Sequence, residues 1–430
     1  ILSEVALAWP VDRVLDAGSH LVHIEDGSGY GYGRATARVT PADSPEAVLS
    51  ETDLGKGTVR GADLRDGKLY VLRETGASRV VYFRSPVSGD APGKLVLDIY
   101  DASALPALTL LGSVAKQFNA ELHVATDGLL WPRANRPAVV LDAQSSFWYD
   151  WRGPIAIDDP VSLKSAAITP AAGSKIAIDR FPFWRPRKAP RLLVFDTTNA
   201  STPTAGDTVP VGTVETIPNG IYQAAGGLLV MGTSNYRNEA NGNTVAAGKT
   251  IHAAHVAEIG DSGSPVVRPA IDLPGELFAV TELDRDGFLA LTRNYESQGE
   301  PALKVSACDG FDAYEIAGID KNPDAVATAG GRRLFIAVTG GVERFRLNDE
   351  GVFVSEAKLD LGWRPLSLLW TDGLLLGSKW DSLFAAGPKA VTAGKWRFPT
   401  WSLSLDRVTV AADGDLLAPF GDYGAERLER

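Results

Sequence analysis

Gly260-Asp261-Ser262-Gly263-Ser264-Pro265 sets a serine between two glycines and beside an acid, the residue types of a loop that presents a nucleophilic hydroxyl. Such a serine needs a base on its hydroxyl and an acid behind the base. The nearest base is His255, in Ile251-His252-Ala253-Ala254-His255, and it precedes Ser262 by only seven residues, within one strand and its turn. No two-barrel pattern surrounds the pair to supply a base from a distant segment. The expectation is a polar inter-strand turn, built from residues that favour turns.

Metal chemistry meets a similar obstacle. His252 with His255, and His20 with His23, are each three positions apart. Along a strand such residues face opposite ways, so neither pair can chelate an ion. His123 stands alone, and a zinc site needs three or four convergent ligands. Gly27-Ser28-Gly29-Tyr30-Gly31-Tyr32-Gly33 has glycine spacing that superficially suits a pyrophosphate, but no helix start follows to receive one. Asp284-Arg285-Asp286-Gly287 and Asn348-Asp349-Glu350-Gly351 open like calcium loops and lack the spaced acids and terminal Glu that complete the coordination. They read as hairpin turns, and no metal or cofactor is expected.

The remaining chemistry-bearing group is aromatic. Phe147, Trp148, Tyr149 and Trp151 are followed by Phe181, Phe183 and Trp184, with Arg185 and Arg187 beside them. Trp, Tyr and Arg dominate binding hot spots, and flat aromatic rings also make stacking platforms for sugars. These nine residues are the candidate binding site. Core packing between sheets is the competing explanation for the aromatics. Arg180, Lys188 and Arg191 complete a local basic cluster, which reads as a solvated loop or as a contact for an anionic partner.

What must position these residues is a returning phrase: a short apolar run, a turn ending in Gly, and a second apolar run. It occurs at 62–74, 121–132, 220–232, 279–292, 366–378 and 407–418, with weaker copies at 14–24 and 325–338. Each reads as a tight β-hairpin, with Gly67, Gly128, Gly227, Gly287, Gly373 and Gly414 supplying positive φ. The turn glycines recur about every 40 to 60 residues, as repeat architectures require. The gap from Gly128 to Gly227 is double, and a degenerate copy at 166–178 is expected to fill it.

Between the hairpins a second pattern recurs, at 94–114 and 191–214. Asp98, Asp101, Ala102, Ser103 and Pro106 match Asp196, Asn199, Ala200, Ser201 and Pro203. Strand, polar turn and strand are thereby added to each hairpin, giving four antiparallel strands per repeat, the blade of a β-propeller. With these residues the chain resembles bacterial secreted and cell-surface propellers whose blades carry a Leu-Val-x-Asp-x-Ser-Asp-Pro type of phrase. That resemblance implies a scaffold and an exported location, and it carries over no catalytic residue. The expectation is an all-β propeller of eight four-stranded blades, with seven or nine as alternatives. One domain spans 1–430, with an aromatic and basic insertion around 143–190. An N-terminal strand at 3–9 is expected to complete the last blade.

Composition narrows the function. No segment has the 18 or more consecutive apolar residues of a membrane span, and the single cysteine, Cys308, permits no internal disulfide. A formal net charge of −11 and a pI near 5.1 argue against nucleic acid as a partner. The chain opens on Ile1, so a leader or further domain is expected upstream. The favoured reading is a non-catalytic protein–protein interaction or structural module of an exported assembly. The alternative is a carbohydrate-binding or carbohydrate-active propeller, whose catalysis would need only two carboxylates at a set separation near the channel mouth.

Overall fold

The computed structural model describes residues 9–26, 34–75, 93–118, 122–124, 128–143, 189–212, 217–224, 227–236, 240–241, 244–245, 250–284, 287–293, 303–309, 311–319, 325–329, 333–350, 352–389, 393–397, 405–411, 413–420 and 424–428. The fold is an all-β, eight-bladed propeller of four-stranded antiparallel blades.

Blade 1 holds strands Arg13–Asp16, His20–Glu25, Arg34–Pro41 and Ser50–Lys56, and blade 2 holds Thr58–Arg65, Lys68–Thr75, Gly93–Asp101 and Thr109–Phe118. In blade 3, Leu122–Val124 and Leu130–Arg133 share the inner position, followed by Arg136–Ala143, Arg191–Asp196 and Thr204–Pro210. Blade 4 runs Ile217–Gln223, Leu229–Tyr236 and Thr250–Ile259, with Pro265–Val267 and Ile271–Leu273 sharing the outer position. Blade 5 is Glu276–Asp284, Gly287–Arg293, Leu303–Cys308 and Ala313–Ile319, and blade 6 is Val326–Ala329, Arg333–Val338, Gly341–Leu347 and Phe353–Asp360. Blade 7 is Ser367–Thr371, Leu374–Lys379, Ser382–Ala386 and Ala393–Arg397. Blade 8 has three described strands, Thr409–Val410, Leu416–Pro419 and Ala425–Leu428. The expected closing strand at 3–9 falls almost wholly outside the described residues.

Burial follows from this arrangement. A middle strand is covered on both sheet faces, so Arg333–Val338 is buried over Leu334, Phe335, Ile336 and Ala337 without alternation. Outer strands alternate or stay exposed, as Phe353–Asp360 does. The apolar core divides into clusters, each joining two neighbouring blades, from blades 1 and 2 round to blades 7 and 8. The ring closes where Val11, Val14 and Leu21 of the first blade region meet Leu417 and Ala425 of the last. Thr409 Oγ1 donates to the Val14 carbonyl at 2.6 Å across the same seam. Phe195, Phe288, Phe335 and Phe384 are fully buried in these wedges, each contributing about 1.5–3 kcal/mol by leaving water.

Antiparallel order gives the ring two unlike faces. One, the tight-turn face, carries the turns from first to second and from third to fourth strands. There Asp66 (φ 49) with Gly67 (φ 66), and Asp372 (φ 48) with Gly373 (φ 76), make the left-handed turns read from the sequence. The opposite, long-connection face carries the links between blades and the second-to-third connections. The chain between strands two and three is long in blades 2 and 3, across 76–92 and 144–190, and short in blades 6 and 7, at Thr339-Gly340 and Trp380-Asp381.

Three sequence readings are corrected. The phrase at 121–132 is not a hairpin: Leu122–Val124 and Leu130–Arg133 both pair with Arg136–Ala143, and the turn lies at Ala134-Asn135. Gly128 lies between these two segments at φ +149, and its backbone is approached by Gly61, where a Cβ would stand 2.9 Å from it. Second, Arg136–Ala143 and Arg191–Asp196 are hydrogen-bonded neighbours. The double gap therefore spans one blade with an insert, and eight blades are complete without 166–178. Third, Lys68 faces Asp101, while Ala138 faces Val194 and so sets Arg136 opposite Asp196. The equivalent strand-end acids are therefore Asp101 and Asp196, not Asp98 and Asp196. Asp101 Oδ1 accepts the Ser103 amide at 2.9 Å, and Asp196 Oδ1 accepts the Thr198 amide at 3.0 Å.

Candidate interaction surfaces

The nine residues singled out from the sequence, Phe147, Trp148, Tyr149, Trp151, Phe181, Phe183, Trp184, Arg185 and Arg187, lie outside the described residues, as does Gly27–Gly33. Their place in the chain is between the second and third strands of blade 3, whose ends open onto the long-connection face.

The serine loop at 260–265 is described in full and joins Thr250–Ile259 to Pro265–Val267. The Gly263 amide donates to the Gly260 carbonyl at 3.0 Å, closing a turn, and Gly263 has φ +79. Asp261 pairs with Arg133, whose Nε also donates to the Ile259 carbonyl at 2.6 Å. A Cβ on Gly263 would stand 2.7 Å from Arg136 Nε. The loop is thus an inter-blade clasp: blade 4 offers a carboxylate and a bare backbone to two arginines of blade 3. His255 is buried, and burial lowers its pKa. It lies four residues before the strand end, roughly 13 Å of strand away, while Ser262 is exposed beyond that end.

His23 is buried with Nε2 2.9 Å from Thr40 Oγ1, and burial together with the Arg38 charge pushes its pKa down to about 4. His252 Nδ1 lies 2.9 Å from Ser234 Oγ. Among the described residues no group of three or more His, Cys, Asp or Glu could hold a metal ion, and no helix is long and apolar enough to cross a membrane. Asn348 Oδ1 accepts the amides of Glu350 and Val352 at 3.0 and 2.9 Å, so its calcium-loop look-alike is a side-chain-closed turn. Cys308 is buried, which pushes its thiol pKa up to about 12.

On the inner strands, Arg65 lies over Trp131, 4.5 Å from the ring centroid, and Tyr70 meets the same ring edge-on at 4.9 Å. Gln223 bridges to the Trp131 backbone, accepting its amide at 3.2 Å and donating to its carbonyl at 2.9 Å. This polar-aromatic cluster staples blades 2, 3 and 4. Burial raises the pKa of Asp63 here, opposed by Arg65. Burial also raises Asp12, which accepts the Asp26 amide at 2.8 Å and faces Arg407 at 3.5 Å. Arg13, next to Asp12, donates to the Arg60 carbonyl at 3.2 Å.

Exposure reveals what the sequence did not. Nine large apolar side chains are exposed among the described residues, and seven of them gather on the rim of the tight-turn face, four in third-to-fourth strand turns and three as the second residue of a fourth strand. They are Val48 and Leu49 in blade 1, Leu110 in blade 2, Val266 in blade 4, Phe311 in blade 5, and Val352 and Val354 in blade 6. The greatest exposure is at the blade 4–5 junction, where Val266 is 62% and Phe311 61% exposed. Arg268 shares a side of its strand with Val266, lies 4.9 Å from the Phe311 centroid and pairs with Glu258 at 3.1 Å. Single apolar residues inside turn phrases gave no periodic signal, so only their position on the ring exposes the pattern.

No protein-family model and no curated protein matches the chain. Among solved structures it is similar to Sqt1 of Saccharomyces cerevisiae, at 9% identity and a TM-score of 0.44, with 98% of each chain covered.

Proposed function

We propose that this propeller is a non-catalytic protein–protein interaction module of an exported or cell-surface assembly, docking its partner on the rim of the tight-turn face. The observation that carries this reading is the gathering there of seven of the nine exposed large apolar side chains. Isolated exposed apolar residues are ordinary, whereas a concentration on one face marks a contact surface. Phe311 under Arg268 has the composition of a binding hot spot. Sugar hydrolysis would need two facing carboxylates; among the described residues the two carboxyls raised by burial, Asp12 and Asp63, stand on different blades, and Asp12 is already engaged by the Asp26 amide and Arg407. The exported location rests on the repeat resemblance, and cell fractionation tests it separately.

Affinity purification from the native source, followed by mass spectrometry, tests the function. A stoichiometric protein partner retained at physiological salt is expected. Recovery of the chain only as a monomer would overturn the reading.

A further inference from the structure

The net charge of −11 is unevenly placed on the tight-turn rim. The third-to-fourth strand turns of blades 2 and 3, at 102–108 and 197–203, hold no charged residue, and the described part of the blade 7 turn holds Lys389. Blades 4, 5 and 6 are neighbours joined by shared apolar clusters, and every charged residue described in their third-to-fourth turns is an acid. Asp261 of blade 4 is neutralised by Arg133 of blade 3. Asp309 and Asp312 in blade 5, and Asp349 and Glu350 in blade 6, are all exposed. Asp309 Oδ1 accepts the amides of Asp312 and Phe311, each at 2.9 Å, which holds its carboxyl below the usual carboxylate range and keeps it charged.

The exposed apolar side chains of this arc are set among those acids. Phe311 lies between Asp309 and Asp312, Val266 is across the blade 4–5 junction, and Val352 and Val354 follow Asp349 and Glu350 along the chain. Arg268, the cation beside Phe311, is paired with Glu258 at 3.1 Å and is itself only 18% exposed. Charge of one sign around an apolar contact draws in a partner of the opposite sign and turns away a like-charged one. Lysine and arginine suit both halves of such a surface, because their aliphatic stems lie along apolar side chains while the charged heads reach the carboxylates.

We propose that the arc of blades 4 to 6 docks a basic protein segment in which lysines or arginines alternate with apolar anchors. This rests on the reading of the rim as a docking surface and adds the sign and pattern of its partner. A nucleic acid or an acidic protein would bring further negative charge against the same carboxylates.

The test is fluorescence anisotropy of the full chain with three labelled peptides of equal length, repeats of Lys-Leu-Gly-Ser, Glu-Leu-Gly-Ser and Lys-Ser-Gly-Ser. The variants are Asp312→Asn with Glu350→Gln, Val266→Asp with Phe311→Asp, and the control pair Asp207→Asn with Asp381→Asn, two exposed acids off the rim. Melting temperatures are recorded for all. The expected result is saturable binding of the Lys-Leu-Gly-Ser peptide alone, weakened about fivefold by Asp312→Asn with Glu350→Gln, weakened again by salt, and unchanged in the control pair. No binding of that peptide at millimolar concentration, equal binding of either other peptide, or an equal loss in the control pair would overturn the proposal. Native-source capture separates it from the reading beneath it. Capture lost in Val266→Asp with Phe311→Asp but kept in Asp312→Asn with Glu350→Gln would leave the docking surface standing and overturn its basic partner; capture kept in both variants would overturn the docking surface as well.

Discussion

Alanine at Gly263 and alanine at Ser262 should have opposite consequences, although the residues are neighbours in one turn. Gly263 has φ +79, and a Cβ in that region costs about 1–2 kcal/mol. The new methyl would stand 2.7 Å from Arg136 Nε and 3.1 Å from its Cδ, displacing a side chain only 12% exposed. Arg136 would loosen from Asp196 and from Thr198 Oγ1, to which it donates at 2.7 Å. Charge-assisted hydrogen bonds of this kind contribute about 1.5–3 kcal/mol. Partial retention of them puts Gly263→Ala about 2–4 kcal/mol below wild type. Ser262 is exposed, so Ser262→Ala should stay within about 0.5 kcal/mol. Urea unfolding followed by far-ultraviolet circular dichroism reads both. Wild-type stability in Gly263→Ala, or a clear loss in Ser262→Ala, would refute the clasp and return attention to the hydroxyl.

Other consequences are independent of that turn. His23 titrates near 4 in the fold against 6.5 when unfolded, so the folded chain binds fewer protons between those values. Its contribution is complete above pH 6.5 and is lost as pH falls to 4, about 3 kcal/mol in all; His23→Gln should flatten that part of the stability–pH curve. Asp98 accepts from Arg73 Nε at 2.9 Å and from Ser113 Oγ at 2.6 Å while almost wholly buried. Asp98→Ala strands the arginine and should cost about 3–5 kcal/mol in denaturant melts. The Cys308 thiol, buried and raised to about 12, should react with a thiol reagent at pH 8 only after unfolding; fast labelling of native protein would contradict its placement.

Blade architecture was legible because inner hairpins repeat two apolar runs around a Gly turn, and seven of the phrases fall on first-to-second strand hairpins as read. Blade 3 escaped because its hairpin turn, Ala134-Asn135, has no glycine, while Gly128 lies ahead of the inner strand Leu130–Arg133 rather than in the hairpin turn. The opposed histidines and the turn character of the serine loop followed from strand periodicity and spacing alone. The apolar rim was not legible, since Phe311 and Val352 are isolated in turns and Val266 in a three-residue strand, and they gain meaning only when the ring sets them on one edge.

The rim of the tight-turn face is the proposed docking surface for a protein. The direct measurement compares native-source partner capture by wild type, by the double variant Val266→Asp with Phe311→Asp, and by Lys358→Glu, an exposed change on an outer strand, with melting temperatures recorded for all three. Both rim residues are more than 60% exposed, so the double variant should melt close to wild type. The double variant is expected to lose the captured partner at least tenfold while Lys358→Glu retains it. Undiminished capture by a correctly folded double variant would contradict it.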